Sequence, residues 1–240
     1  MVYPVFLAMV LLRVFGSWPP HSYRDVTPGD TYHYLAYLPE DYNQTRKNYP
    51  LVIYLHGSSA RGNDLDKVKI SGLPRMAETG QKFEFILIAP QCPSGKLWSS
   101  DDWAGPLLAE LQKKYRIDKS RIYLTGVSMG GGGTFDVAKR YPDTFAALAP
   151  LCAWASDTHQ ICKLKSTPVW TFHGTEDHVV PIAETDEKVK ALRNCGGNIR
   201  YTRLKGEGHG IHFVYHTDNE YRLLDWLLSH RLNKPLDLGE

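Results

Sequence analysis

At 240 residues the chain is long enough for one α/β domain with a sizeable core. Its composition, 42% hydrophobic and 22% charged, is that of a globular protein and excludes a disordered one. A net charge of +2, with no basic stripe interleaved with aromatics, gives no electrostatic basis for binding nucleic acid.

Val2 to Leu12 is nearly continuous apolar sequence, followed by Arg13, a Gly16-Ser17 step and Trp18-Pro19-Pro20. The run is too short to span a bilayer and has the length of a secretory h-region, although a basic n-region is missing. Residues 1–20 therefore read as a signal peptide or its remnant, with an apolar N-terminal arm as the alternative. A signal would make the protein secreted or periplasmic; a cytoplasmic site stays open. Residues 21–240 form the expected single domain.

Thr31 to Leu38 alternates Tyr32 and Tyr34 on one face and ends at Pro39, which predicts an early antiparallel strand. Leu51 to Leu55 and Phe85 to Ala89 are apolar throughout, as strands covered on both faces tend to be. Asp102 to Tyr115 carries Leu107, Leu108 and Leu111 along one helical stripe. Ile122 to Leu124 predicts a short buried strand, and Thr134 to Arg140 a helix. Phe145 to Leu151 and Val169 to Phe172 are further apolar runs. Glu184 to Asn194 is an amphipathic helix stopped by Gly196-Gly197, Ile199 to Leu204 a last strand and Glu220 to His230 a last helix. Strands alternating with helices predict a doubly wound, mostly parallel sheet.

Between the strand of Ile122 and the helix of Thr134 lies Gly126-Val-Ser-Met-Gly130, a G-x-S-x-G pattern in strand–turn–helix context. Such a nucleophile elbow holds the serine in a strained turn at a strand's carboxyl end, with glycines where side chains would collide. Sites of doubly wound sheets form at those ends. After Val169–Phe172 comes His173-Gly-Thr-Glu-Asp177-His178, and after Ile199–Leu204 comes Gly208-His209-Gly-Ile-His212. A serine, then an acid, then a histidine is the chain order of α/β-hydrolase triads. Ser128 is thus the expected nucleophile, Asp177 the acid with Glu176 as alternative, and His209 the base with His212 as alternative. His56 and His173, in His-Gly turns just after strands, read as structural, and His178 as solvated. The histidines have no H-E-x-x-H arrangement, so neither a catalytic metal nor a cofactor is expected.

The chain resembles the compact α/β-hydrolase esterases, near the predicted-peptidase and phospholipase/carboxylesterase-like group; polyhydroxybutyrate depolymerases and feruloyl esterases are more distant relatives. The resemblance runs from about Tyr34 to the last helix. It rests on Leu51-Val-Ile-Tyr-Leu-His-Gly57, Arg61-Gly-Asn-Asp64, Ile117 to Gly131, His173-Gly-x-x-Asp177-x-Val-Val-Pro181 and Gly208-His209. It implies Ser128, Asp177 and His209 as the triad. Two departures concern the acyl pocket: Gly132 stands where an aromatic is common, and Ser58-Ser59 where a glycine-rich loop is common. The backbone N–H groups of Ser58 and Met129 are the expected oxyanion donors.

Only about seventeen residues separate the strand ending near Leu151 from the one starting near Val169, too few for a multi-helix cap. An open, shallow site suits short acyl groups or esters hanging from a larger molecule. Trp98, Trp103 and Trp154 lie in loops that border such a site, and Trp103 and Trp154 are candidate substrate contacts, with packing on their own domain as the plainer role. Of the four cysteines, Cys152 and Cys162 lie ten apart across a polar loop and are the pair considered for a disulfide, with free thiols as the alternative. The leading expectation is a serine carboxylic-ester hydrolase acting on a small or polymer-linked ester. A serine peptidase or amidase with the same triad, and a catalytically inactive binding module, are the other readings.

Overall fold

The computed structural model describes residues 21–23 and 32–234. The proposed signal peptide or apolar arm, residues 1–20, lies outside them. Eight strands form one sheet in the order β1-β2-β4-β3-β5-β6-β7-β8. They are β1 (His21–Tyr23), β2 (Tyr34–Tyr37), β3 (Tyr49–Leu55), β4 (Ile86–Pro90), β5 (Ile117–Val127), β6 (Ala147–Leu151), β7 (Val169–Gly174) and β8 (Ile199–Leu204). The pairs β1–β2 and β2–β4 are antiparallel, as expected of the first strand, and all other pairs are parallel. This is the α/β-hydrolase architecture, and among the described residues no cap domain is inserted.

The helices are α1 (Gly72–Glu78), α2 (Ala104–Lys114), α3 (Met129–Arg140), α4 (Ala183–Asn194) and α5 (Leu223–Leu228). They cover both faces of the sheet, and alternation along β3 shows how. Leu51, Ile53 and Leu55 point to the side packed by Leu107 and Leu111 of α2, Phe135 of α3 and Val189 and Leu192 of α4. Val52 and Tyr54 point to the other side, against Leu73 of α1 and Leu223, Leu224 and Leu227 of α5. Both faces are therefore apolar, which is why β3 and β4 read as unbroken hydrophobic runs rather than alternating ones.

Three expectations are corrected. The helix after the elbow runs from Met129 to Arg140, so the glycines 130–133 belong to it and it is longer than the Thr134–Arg140 stretch. The last helix is shorter than Glu220–His230, starting at Leu223 after Arg222 in a left-handed conformation. The disulfide joins Cys162 to Cys195, while Cys152 and Cys92 are free and buried. Cys152, directly after β6, is buried in the core, while Cys162 lies beside the end of α4, where Cys195 caps the helix. Among the described residues, no helix is long and apolar enough to cross a membrane.

Candidate active site

Ser128 sits between the end of β5 and the start of α3 with φ 60° and ψ −119°, a conformation that is strained for any residue but glycine. The surroundings over-determine it. Its N–H donates to the Leu151 carbonyl at 2.9 Å, and its carbonyl accepts from Gly132 N–H at 3.0 Å and Trp154 N–H at 3.1 Å. The turn closes only because neighbouring backbone comes very close. A Cβ on Gly130 would lie 1.9 Å from the Leu55 carbonyl oxygen, and one on Gly132 1.7 Å from that of Trp154. The second contact gives Gly132, a departure from the resembled pattern, its reason: the segment after β6 lies directly on the first turn of α3.

Asp177 follows β7 and His209 follows β8, so both stand at the carboxyl ends of two neighbouring strands, β7 beside β6 and β8 at the sheet's edge. Asp177 Oδ2 accepts from His209 Nδ1 at 2.7 Å. The other oxygen, Oδ1, accepts from the N–H groups of Val179 at 2.9 Å and Val180 at 2.8 Å. Burial works against the ionised carboxylate, yet Val180 N–H, His209 and Val179 N–H outweigh it and hold the carboxyl below its usual range. With Nδ1 donating to Asp177, the Nε2 of neutral His209 is left as an acceptor. The carboxylate side chain is fully buried, whereas the imidazole is 25% exposed.

The alternatives separate cleanly. Glu176 is exposed and its N–H is used by the Glu207 carbonyl. His212 makes no contact with Asp177; burial lowers its pKa and its Nδ1 has no partner in the described structure. His178 is exposed. His56 is buried, accepting at Nε2 from Cys92 N–H and donating from Nδ1 to the Gly57 carbonyl, and burial pushes its pKa down to about 4. It braces the turn after β3 rather than reaching substrate. That turn meets the elbow: a Cβ on Gly57 would lie 3.6 Å from Ser128 Cβ. Ser58 next to it is exposed and opens a 3₁₀ turn, and Met129 opens α3, so neither N–H has an acceptor within its own helix.

Trp103 is corrected. It is buried in the core, stacked on Tyr32 with ring centres 5.4 Å apart and donating from Nε1 to the Trp98 carbonyl, and Trp98 is buried too. Trp154 alone of the three is substantially exposed, at 38%, and its backbone is bonded to Ser128. Unforeseen from sequence were two groups packed around Asp177: the buried Cys152 thiol and the His173 imidazole.

Among the described residues, Cys152, Asp177 and His209 are the three side chains whose ligand atoms lie close enough, within 4.8 Å, to share an ion. The 2.7 Å between Asp177 and His209 is a hydrogen-bond distance. Two ligands of a tetrahedral zinc with bonds of ~2.0 Å stand about 3.3 Å apart. The set as it stands is built for a shared proton. A depression of about 580 Å³ opens at the other end of the sheet, where Tyr49 starts β3 and Arg121 lies early in β5, away from Ser128.

A sequence model of the phospholipase/carboxylesterase family matches residues 101–215, which include Ser128, Asp177 and His209. A bifunctional acetylxylan esterase/xylanase of Neocallimastix patriciarum is 26% identical over 61% of this chain and 22% of its own length. A poly(3-hydroxyalkanoate) depolymerase of Paucimonas lemoignei is 25% identical over 62% of this chain and 46% of its own. The chain thus spans less than half of either curated relative. A thermostable esterase of known structure superposes with a TM-score of 0.71 at 30% identity, covering 88% of this chain and 63% of that one. The chain therefore has the α/β-hydrolase fold and is similar in sequence to carboxylesterases.

Proposed function

We propose that the protein is a serine carboxylic-ester hydrolase in which Ser128 is the nucleophile, His209 the general base and Asp177 the orienting acid. The observation that carries the reading is the 2.7 Å contact between His209 Nδ1 and the buried Asp177 carboxylate, made at the same edge of the sheet as a serine held at positive φ. A serine hydroxyl is a poor nucleophile until an imidazole takes its proton. In the proposed step His209 Nε2 accepts that proton as Oγ bonds to the ester carbon. The carbonyl π electrons move onto oxygen, facing the N–H groups of Met129 and Ser58. Collapse expels the alcohol, which takes the proton back from His209 and leaves an acyl-enzyme. Water, deprotonated by the same imidazole, then releases the acid. Asp177 stabilises the imidazolium without itself being protonated, and each oxyanion donor is typically worth roughly 3 kcal/mol.

Short acyl groups, or esters borne on an aryl or carbohydrate moiety, are the substrates we infer. The 17-residue stretch from Cys152 to Pro168 between β6 and β7 is too short for a lid, and half-exposed Trp154 beside the elbow offers a ring face. The Cys162–Cys195 disulfide favours an oxidising compartment, in keeping with secretion.

Fluorophosphonate labelling of intact protein tests the reading. Label is expected on Ser128 and lost in Ser128→Ala, with kcat on p-nitrophenyl acetate falling on the order of 10⁴-fold. Retention of more than roughly a tenth of wild-type turnover by Ser128→Ala overturns it. Turnover of p-nitroanilides at rates matching the esters would instead make the enzyme an amidase.

A further inference from the structure

The Asp177 carboxylate meets a second imidazole. His173, the penultimate residue of β7, is completely buried, with Nε2 3.2 Å from the same Oδ2 that His209 contacts, and 2.9 Å from the Val180 carbonyl oxygen. Its Nδ1 is 2.8 Å from Thr185 Oγ1 on α4. A carbonyl can only accept, so Nε2 carries the proton. Burial disfavours the imidazolium, so the ring is neutral and its Nδ1 accepts from the Thr185 hydroxyl. The Nε2–H is therefore donated to the Val180 carbonyl, and the same nitrogen stands 3.2 Å from Asp177 Oδ2 as a polar contact beside that bond.

On the reading that Ser128, His209 and Asp177 form the triad, we propose that His173 is a positioning residue for the reaction. Its Nε2–H fixes the rotamer of Asp177 and the turn through Val180. With Val179 and Val180 on Oδ1 and His209 on Oδ2, the carboxylate has three hydrogen-bond donors, and the His173 Nε2–H packs against Oδ2 as a fourth polar neighbour. A carboxylate pinned this way holds His209 for transfer of its proton to and from Ser128. Without the pin, rotation about χ2 of Asp177 exchanges its two oxygens and releases the imidazole. A misplacement of about 1 Å at such a site costs about 10²-fold.

The competing account is a satisfied core histidine whose only task is to join β7 to α4. The two differ in what reaches His209. The titratable groups around this cluster are Asp186 from α4 and His209, which face His173; the Cys152 thiol from the end of β6, which faces Asp177; and His212, which faces His209. All stay in place when His173 alone is replaced. Removing its Nε2–H leaves more negative charge on Oδ2 for His209, which favours the imidazolium. The acid limb of the kcat/KM profile must then move to higher pH.

The test compares His173→Leu, which lacks the donor, with His173→Gln, whose amide N–H₂ can reach the same oxygens. In the wild type, labelling of Ser128 and ester turnover are measured first. A wild type that neither labels nor turns over ester removes the esterase reading, and this inference with it. In an active background, His173→Leu is expected to lower kcat roughly 10- to 100-fold with KM within about threefold. Its acid limb is expected to shift upward by roughly half a unit or more. His173→Gln should return both to near wild type. A folded His173→Leu with kcat within about threefold of wild type and an unmoved acid limb overturns the proposal. So does equal impairment of the two variants without any shift of the limb. Should His173→Leu not fold, nitrogen and proton NMR of the His173 ring decides. A neutral ring with its proton on Nε2, whose shift changes in Asp177→Asn, supports the role. A proton on Nδ1, or an Nε2 proton indifferent to Asp177→Asn, refutes it.

Discussion

Around Ser128 the histidines are sorted by burial. His56 and His173 are inside and held neutral, while His209 keeps an edge in solvent. The His56 ring has a consequence for stability. In the unfolded chain a histidine titrates near 6.5; in the fold, burial brings His56 down to about 4. Between those values the unfolded state binds the extra proton, so stability is full above about pH 6.5 and is lost as pH falls toward about 4. The loss amounts to about 3 kcal/mol. In His56→Gln, which keeps an acceptor for Cys92 N–H, the fall in stability by urea denaturation from pH 7 to 4.5 should be visibly shallower than in wild type. Equal slopes would show that His56 is not held neutral. For the proposed triad, Asp177→Asn is expected to cost somewhat less than Ser128→Ala, since it would remove orientation and charge but not the proposed nucleophile. The kcat/KM of the wild type should rise with pH through roughly 6 to 7, as a general-base imidazole requires, and a flat profile from about pH 5 to 8 would remove His209 from that role. The spacing of Ser128, Asp177 and His209 along the chain was legible because each follows a recognisable strand. The contact of His173 with Asp177 was not, because a His-Gly turn has the same letters whether the ring faces a carboxylate or only a carbonyl.

At the scale of the elements, the segment after β6 is held at both ends. Its start lies on α3, with the Trp154 carbonyl against Gly132, and Lys139 of α3 binds Asp157 and Asp136 at 3.0 Å. Its far part is tied to the end of α4 by Cys162–Cys195. The link closes a loop of 33 residues, which in the chain-entropy view is worth roughly 3 to 4 kcal/mol. The double variant Cys162→Ser/Cys195→Ser should lose about that much by urea denaturation, while Cys92→Ser stays a free-thiol change without a cross-link effect. An unchanged midpoint for the double variant would mean the link is absent in the protein. Gly132→Ala poses a conflict of signs. In a helix interior the change normally stabilises by up to about 1 kcal/mol. Here the new Cβ would lie 1.7 Å from a backbone oxygen, so overpacking, about 1 to 3 kcal/mol, wins. Gly132→Ala is therefore expected to lower both Tm and kcat/KM, and a rise in Tm would show the segment free to move away. Neither the disulfide partner nor this approach could be read from the chain. Cys152 and Cys162 are nearer in sequence, but whether a cysteine at a strand end faces in or out depends on the pleat. The helical glycines were hard to read for a similar reason: four successive glycines have no apolar periodicity, and it is packing against the backbone of Leu55, Leu151 and Trp154 that makes them helical.

For the molecule as a whole, alternation of apolar runs with amphipathic stretches was enough to give a doubly wound sheet, because the central strands β3, β4, β6 and β7 are buried along their whole length while α2 and α4 are buried on one face. Tryptophan placement was the part that failed. Trp103 sits among polar residues in sequence, yet the aromatic stack with Tyr32 and Trp98 draws it inside. The exposed one of the three loop tryptophans is Trp154, on a segment of 17 residues between β6 and β7 whose only helix is the 3₁₀ turn Ile161–Leu164. On the proposed function, a site without a cap offers an acyl chain no wall along which to be buried methylene by methylene. Each buried CH₂ is worth about 0.8 kcal/mol, so a tunnel would reward every added pair of carbons by roughly tenfold in kcat/KM. An open site gains from the first few carbons and then nothing, while longer esters become less soluble. The expected order on p-nitrophenyl esters is therefore acetyl to butyryl best, with a clear fall by octanoyl. No jump in rate is expected as substrate passes into emulsion, since no lid is present among the described residues for an interface to open. A kcat/KM that climbs steadily out to dodecanoyl would mean that Trp154 and its neighbours form one side of a long groove, and the short-acyl reading would have to give way to a lipid-like one.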